Sequence, residues 1–197
     1  MNKVINIKSK KAINEIQRYK DKKYFQLDIK FENVHLREIN KLLPFVLFEK
    51  NDLYINSVTL WELMQETGNA GTHNYHGLTP SDIFCVLNSI DEPYCIFEVK
   101  NERYAIVPTY ISSFYEPLMV VIEKEAELIN RKNANVNKIV TIYPKSKIDK
   151  YLSKIDNKAI LYIKKWEPNG APIATLDSLP FEDVPFYGPR LLFATLL

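Results

Sequence analysis

Three histidines occur in the chain, His35, His73 and His76, and two of them fall in the stretch Gly71-Thr-His-Asn-Tyr-His-Gly77. Histidine changes charge near neutral pH, so a pair in one short loop suits proton transfer. Thr79-Pro-Ser-Asp82 follows at once and reads as a helix start, with Thr79 as N-cap and Pro80 at the first helical position. A helix start offers backbone N–H donors and a positive dipole end, which favour a phosphate. The loop and the helix start together therefore point to an anion site with a general acid or base. The competing reading is a solvated loop with two incidental histidines.

A second candidate is the run Lys138-Ile-Val-Thr-Ile-Tyr-Pro-Lys145. As a strand with a period of two, it puts Ile139, Thr141 and Tyr143 on one face and Lys138, Val140 and Ile142 on the other. Thr141 and Tyr143 carry hydroxyls suited to a phosphate or a ribose, and Lys145 adds a cation at the strand end. Ordinary strand preference for β-branched and aromatic residues explains the same pattern without function. Upstream, Asn130-Arg-Lys-Asn-Ala-Asn-Val-Asn137 is a solvated loop in the plain reading; in the functional one Arg131, Lys132 and Lys138 guide a nucleic-acid backbone.

Composition excludes several other chemistries. The 197 residues have 46% apolar and 25% charged content and a net charge of +2, the balance of an ordinary globular protein. With only five glycines, no P-loop and no G-x-G-x-x-G can be written. Cys85 and Cys95 lack metal-ligand spacing and are too few for a disulfide scaffold, and the histidine loop has no third ligand beside it, so no metal is expected. Apolar runs such as Pro117–Ile122 are far shorter than the roughly 20 residues of a membrane span. The N-terminus lacks the apolar core of a secretory signal. A reduced, cytoplasmic setting is expected, or else a fragment carried by something larger.

The elements that must position these residues form an α+β pattern. The spacing predicts a short helix over Ser9–Arg18, a strand over Tyr24–Phe31, a helix over Glu32–Leu43 and a hairpin from Phe45–Phe48 and Leu53–Ser57. Helices over Val58–Glu66 and Thr79–Ser89 precede strands at Tyr94–Val99, Arg103–Val107, Leu118–Ile122 and Val136–Tyr143, a helix at Ser146–Ile155 and a strand at Ala159–Ile163. This predicts helices packed on a mostly antiparallel four- to five-stranded sheet. It divides the chain into an N-terminal αβ extension (1–52), a core domain (53–167) and a Pro-rich arm (168–197), whose apolar end, including Leu191, Leu192 and Phe193, is expected to dock on the body or on a partner.

The order of these short motifs resembles the phage MuF C-terminal-type domain. The resemblance runs from His76-Gly-Leu-Thr-Pro-Ser-Asp through Asp91-Glu-Pro-Tyr-Cys-Ile-Phe97, Arg103–Pro108 and Pro117–Ile122 to Asn137–Lys145 and Leu161-Tyr162. That family is grouped with the barnase, EndoU, colicin-type and RelE-like ribonucleases. The resemblance implies metal-independent RNA cleavage by attack of the 2′-OH on the adjacent phosphate, with no cofactor. It places the proton-transfer histidine at His76 or His73 and phosphate contacts at Thr141 and Tyr143. Lys145 follows Pro144 where the family more often has glycine; here it is expected to stabilise developing charge. RNA is the expected partner if the chain is active. Two alternatives stand beside this reading. One is a catalytically silent nuclease-like binding protein that inhibits a host factor, with a host or immunity protein as its partner. The other is an ADP-ribosyltransferase, for which Tyr75-His-Gly77 resembles a first motif but Tyr115-Glu116 is a poor catalytic pair.

Overall fold

The computed structural model describes residues 4–7, 12–23, 27–50, 52–66, 75–100, 102–110, 112–113, 115–129 and 131–164; the side chains of 4–7, 33, 35, 131–134, 149 and 157 are outside that description. The expectations for His73, for the side chains of Arg131 and Lys132, and for the arm 168–197 fall outside it too.

In chain order the elements are β1 (Val4–Ile7), α1 (Ala12–Asp21), β2 (Asp28–His35), α2 (Arg37–Leu42), β3 (Asp52–Asn56), α3 (Ser57–Leu63), α4 (Pro80–Asn88), β4 (Pro93–Lys100), β5 (Arg103–Pro108), β6 (Leu118–Leu128), β7 (Arg131–Pro144), α5 (Ile148–Leu152) and β8 (Ile160–Ile163). The strands make one sheet in the order β1-β2-β3-β7-β6-β5-β4-β8. The α+β class is as expected, but the sheet has eight strands where the sequence suggested four or five. The added strands enter through parallel pairing of β3 with β7, which local periodicity does not encode. The sheet is still mostly antiparallel: only β1–β2 and β3–β7 run parallel. The residues expected as an extension therefore share their sheet with the rest.

The two faces of the sheet are covered unequally. Ile16 of α1, Ile39 of α2, Leu60 and Leu63 of α3 and Ile83 and Val86 of α4 bury against Ile29, Leu53, Ile55, Ile122 and Ile139 in the larger core. On the other face Ile148 and Leu152 of α5 cover Cys95, Phe97, Ala105, Val107, Met119 and Val121. Cys95 is buried and Cys85 half-buried, and neither is in a disulfide.

Two expectations near the N-terminus are corrected. The predicted helix Glu32–Leu43 shrinks to α2, because β2 runs on to His35 in pairing with β3, across a register shift between Phe31 and His35. The predicted strand Phe45–Phe48 is a loop wound on one side chain. Asn40 Oδ1 accepts from the backbone N–H of Leu47 and of Phe48, both at 2.9 Å, and its Nδ2 donates to the Phe48 carbonyl at 2.7 Å. That satisfies backbone groups a hairpin would otherwise use.

The start of α4 is as predicted and more heavily tied down than its cap residue alone implies. The Asp82 backbone N–H donates to Thr79 Oγ1 at 3.0 Å, and the Thr79 backbone N–H donates to Asp82 Oδ2 at 3.0 Å, a reciprocal capping box. The Asp82 carboxylate is 1% exposed. It also accepts from the backbone N–H of Ser113 at 2.8 Å, Ser113 Oγ at 2.9 Å and Tyr110 Oη at 3.1 Å. Burial pushes the Asp82 carboxyl up, but the bonds from Thr79 and Ser113 outweigh it and hold the group below its ordinary value of 3.8. Asp82 thus ties the helix start to the loop after β5. Asp82→Ala is expected to cost about 1–3 kcal/mol, the penalty of leaving buried donors unanswered, read as a lower urea midpoint. A carboxyl with a depressed folded pKa stabilises the fold above its unfolded pKa and loses that contribution as pH falls through the folded value. The wild-type melting temperature should therefore drop on the acid side of 3.8 more steeply than that of Asp82→Asn.

Candidate functional site

The site forms where β3 parts from β7. Their parallel register pairs Leu53 with Asn137 and Ile55 with Ile139. It stops there because β3 ends at Asn56, whose side-chain oxygen accepts the Val58 N–H at 2.7 Å and starts α3. Among the described residues, no strand pairs that edge of β7 beyond Ile139. The segment carrying His76 lies beside α3: Gly77 N–H donates to the Gln65 carbonyl at 2.7 Å, and Leu78 N–H to the Leu63 carbonyl at 2.9 Å. Gly77 has φ +65°, a conformation that favours glycine, and it turns the chain between half-buried His76 and fully buried Leu78.

The strand β7 carries a bulge at this point. Ile139 pairs with Ile122 and Thr141 with Val121, which leaves Val140 as the extra residue. The strict alternation expected from the sequence is therefore broken, and Ile139 does not share a face with Thr141 and Tyr143. Ile139 and Ile142 both enter the larger core, whereas Val140 and Tyr143 pack with the α5 cluster. Thr141 and Tyr143 sit opposite Val121 and Met119 on that second face.

His76 comes around the open edge of β7 to meet them. Its Nε2 is 3.3 Å from Thr141 Oγ1, and its ring centroid is 5.7 Å from that of Tyr143 at an interplanar angle of 35°. Which partner donates depends on the tautomer. Burial pushes His76 below the ordinary histidine value of 6.5, so the imidazole is neutral at pH 7. Tyr143 is half-buried, and burial first, then the nearby Tyr151, push its phenol up to about 12. Its hydroxyl donates to Met119 Sδ at 3.9 Å, so the ring, not the hydroxyl, faces His76. Lys145 follows the strand: its backbone N–H donates to the Pro117 carbonyl at 2.9 Å, and its Nζ lies 4.1 Å from the Tyr151 ring centroid and 6.0 Å from that of Tyr143.

The structure thus brings His76, Thr141, Tyr143 and Lys145 into one run of contacts. Lys138 lies apart, three residues back along β7 between Tyr54 of β3 and Glu123 of β6. The expected phosphate site at the start of α4 is corrected. The capping box already answers its Thr79 and Asp82 N–H groups, and an anion there would meet the Asp82 carboxylate. Sequence reasoning missed Trp61, Tyr75 and Tyr151 as neighbours of the site. The adjacency of Tyr75 to His76 was the available signal. Among the described residues, no group of three or more His, Cys, Asp or Glu side chains is placed to hold a metal ion, and no helix is long and apolar enough to cross a membrane.

The family model of the phage MuF C-terminal domain matches residues 68–167. That is just over half of the 197 residues and includes every residue of the cluster, so the chain belongs to the phage MuF C-terminal domain family. No curated protein and no solved structure matches it.

Because burial, rather than the Thr141 contact, lowers the His76 pKa, Thr141→Val should leave it below 6.5, as read by NMR titration of the imidazole. A value that returned to 6.5 would assign the shift to the hydroxyl instead.

Proposed function

We propose that the chain is a toxin-like ribonuclease of phage or mobile-element type, related to the barnase, EndoU, colicin-type and RelE-like enzymes, which cleaves RNA without a metal ion. The observation that carries this reading is the half-buried His76 imidazole against the Thr141 hydroxyl, on a strand that Lys145 follows. A general base must hold a free lone pair at the working pH, and burial keeps His76 in that form. The 3.3 Å contact with Thr141 is long for a hydroxyl hydrogen bond, so an RNA 2′-OH can replace Thr141 at Nε2.

In this mechanism His76 takes the 2′-OH proton as the 2′-oxygen bonds to phosphorus. The bond from phosphorus to the 5′-oxygen breaks, and the departing oxygen takes a proton from solvent. Thr141 holds the phosphate, and the Lys145 ammonium meets the charge that develops on it. Tyr143 contributes through its ring, which packs on His76, since its hydroxyl is turned to Met119.

The test is total RNA incubated with purified protein in EDTA, with end-group analysis. Fragments should carry 2′,3′-cyclic phosphate or 3′-phosphate ends, the only products of a 2′-OH nucleophile. His76→Ala should slow cleavage by about 10²–10⁴-fold, the usual contribution of a general base. Tyr143→Phe should leave the rate nearly unchanged, because the lost hydroxyl contacts sulfur. RNA left intact by the wild-type protein would overturn the reading and favour a nuclease-like scaffold that binds a host or immunity protein.

A further inference from the structure

Beside His76 lies a second aromatic pair that the cleavage chemistry does not use. The Trp61 ring on α3 and the Tyr75 ring have centroids 5.6 Å apart at 88°, and Lys23 Nζ lies 4.6 Å from the Trp61 centroid. Tyr75 immediately precedes His76, whose ring is 5.7 Å from Tyr143, and Lys145 lies beyond Tyr143. The two ring pairs are joined by the peptide link between Tyr75 and His76, and a lysine lies over the outer ring of each pair.

Burial separates these rings from the aromatic pairs of the core. Phe48 with Tyr104 and Phe97 with Tyr151 each contain a phenylalanine that is essentially fully buried. Trp61, Tyr75, His76 and Tyr143 are all half-buried, so every one keeps part of its ring open to solvent. Half-open rings flanked by cations, on a chain whose net charge is only +2, suit a ligand that offers flat faces and phosphates together. Unstacked nucleobases meet that description. In a duplex the base faces are already stacked on one another and out of reach.

We propose that Trp61 and Tyr75, continuing into Tyr143, form a stacking platform for the bases of single-stranded RNA next to the phosphate at His76. This rests on the RNA reading above and names the form of substrate it takes. Trp61 and Tyr75 are then specificity-determining residues, with Lys23 and Lys145 meeting the backbone phosphates at either end.

Trp61 is itself the reporter. The chain has two tryptophans, Trp61 and Trp166, so Trp166→Phe leaves one. With His76→Ala added, the RNA stays intact during a titration. Single-stranded oligoadenylate or oligouridylate should change Trp61 emission saturably, and the same oligonucleotides annealed as a duplex should bind at least about tenfold more weakly, about one stacked base. Trp61→Ala, followed by anisotropy of labelled oligonucleotide, should weaken binding by roughly 5- to 150-fold, the range for losing one base–aromatic stack. Tyr75→Ser, outside any helix or strand, should weaken it in the same direction and serves if Trp61→Ala does not fold. Trp61 emission unmoved at saturating single-stranded RNA, or equal affinity for duplex, overturns the platform. The outcome is separable from that of the cleavage reading: an inactive wild-type enzyme whose Trp61 still responds to single strands retains the platform and loses the chemistry, and active cleavage without any Trp61 response does the reverse.

Discussion

The structure depends on a parallel strand pair that stops early. β3 is held between β2 and β7, so the strands β1 to β3 and those of the family-matched segment share one sheet. Because Asn56 diverts the chain into α3, the β3 pairing covers β7 only as far as Ile139. An unpaired strand edge in the middle of a sheet is normally covered. Here the segment Tyr75–Leu78 lies over the end of α3, and His76 reaches past the edge to the opposite face. The larger core fixes one wall through Leu78 and α4, and the α5 cluster fixes the other through Tyr143.

Partial burial then does two things at once. It pushes the His76 pKa below 6.5, and it leaves part of the imidazole open to solvent. Asp82 supports the same region from a distance. Its carboxylate joins the start of α4 to Ser113 and Tyr110, which limits how far the chain leading from His76 into the helix can move. The site is therefore positioned by two polar junctions, half-buried Asn56 at the end of β3 and buried Asp82 at the start of α4.

Much of this was legible locally. Thr79, Pro80 and Asp82 announce the helix start because a cap is decided within four residues. The strands from β4 to β8 were legible where β-branched and aromatic runs mark them, but β6 runs on to Leu128 and β7 starts at Arg131, in the polar stretch expected as a solvated loop. Strand alternation put Thr141 and Tyr143 on one face, and the structure brings both to His76, without Ile139. Three features depend on partners far away in the chain and left no local trace. The bulge at Val140 exists only in register with β6. The extra strands enter through a parallel pairing between residues more than 80 positions apart. The turning of the Tyr143 hydroxyl towards Met119, which shifts its role from hydroxyl to ring, follows from strand register and the α5 cluster. The helical spacing of Leu36, Ile39 and Leu43 was real, since all three are buried, yet strand pairing took the residues before them.

The most direct measurement of the central claim, that a burial-neutralised His76 is the base, is the pH dependence of single-turnover cleavage of single-stranded RNA set beside the NMR titration of the His76 imidazole. The account predicts a rate that rises with pH through one apparent pKa below 6.5 and then levels, with that pKa coinciding with the His76 titration. A cleavage rate that follows a group titrating elsewhere, with His76 ionising independently of it, would contradict the account.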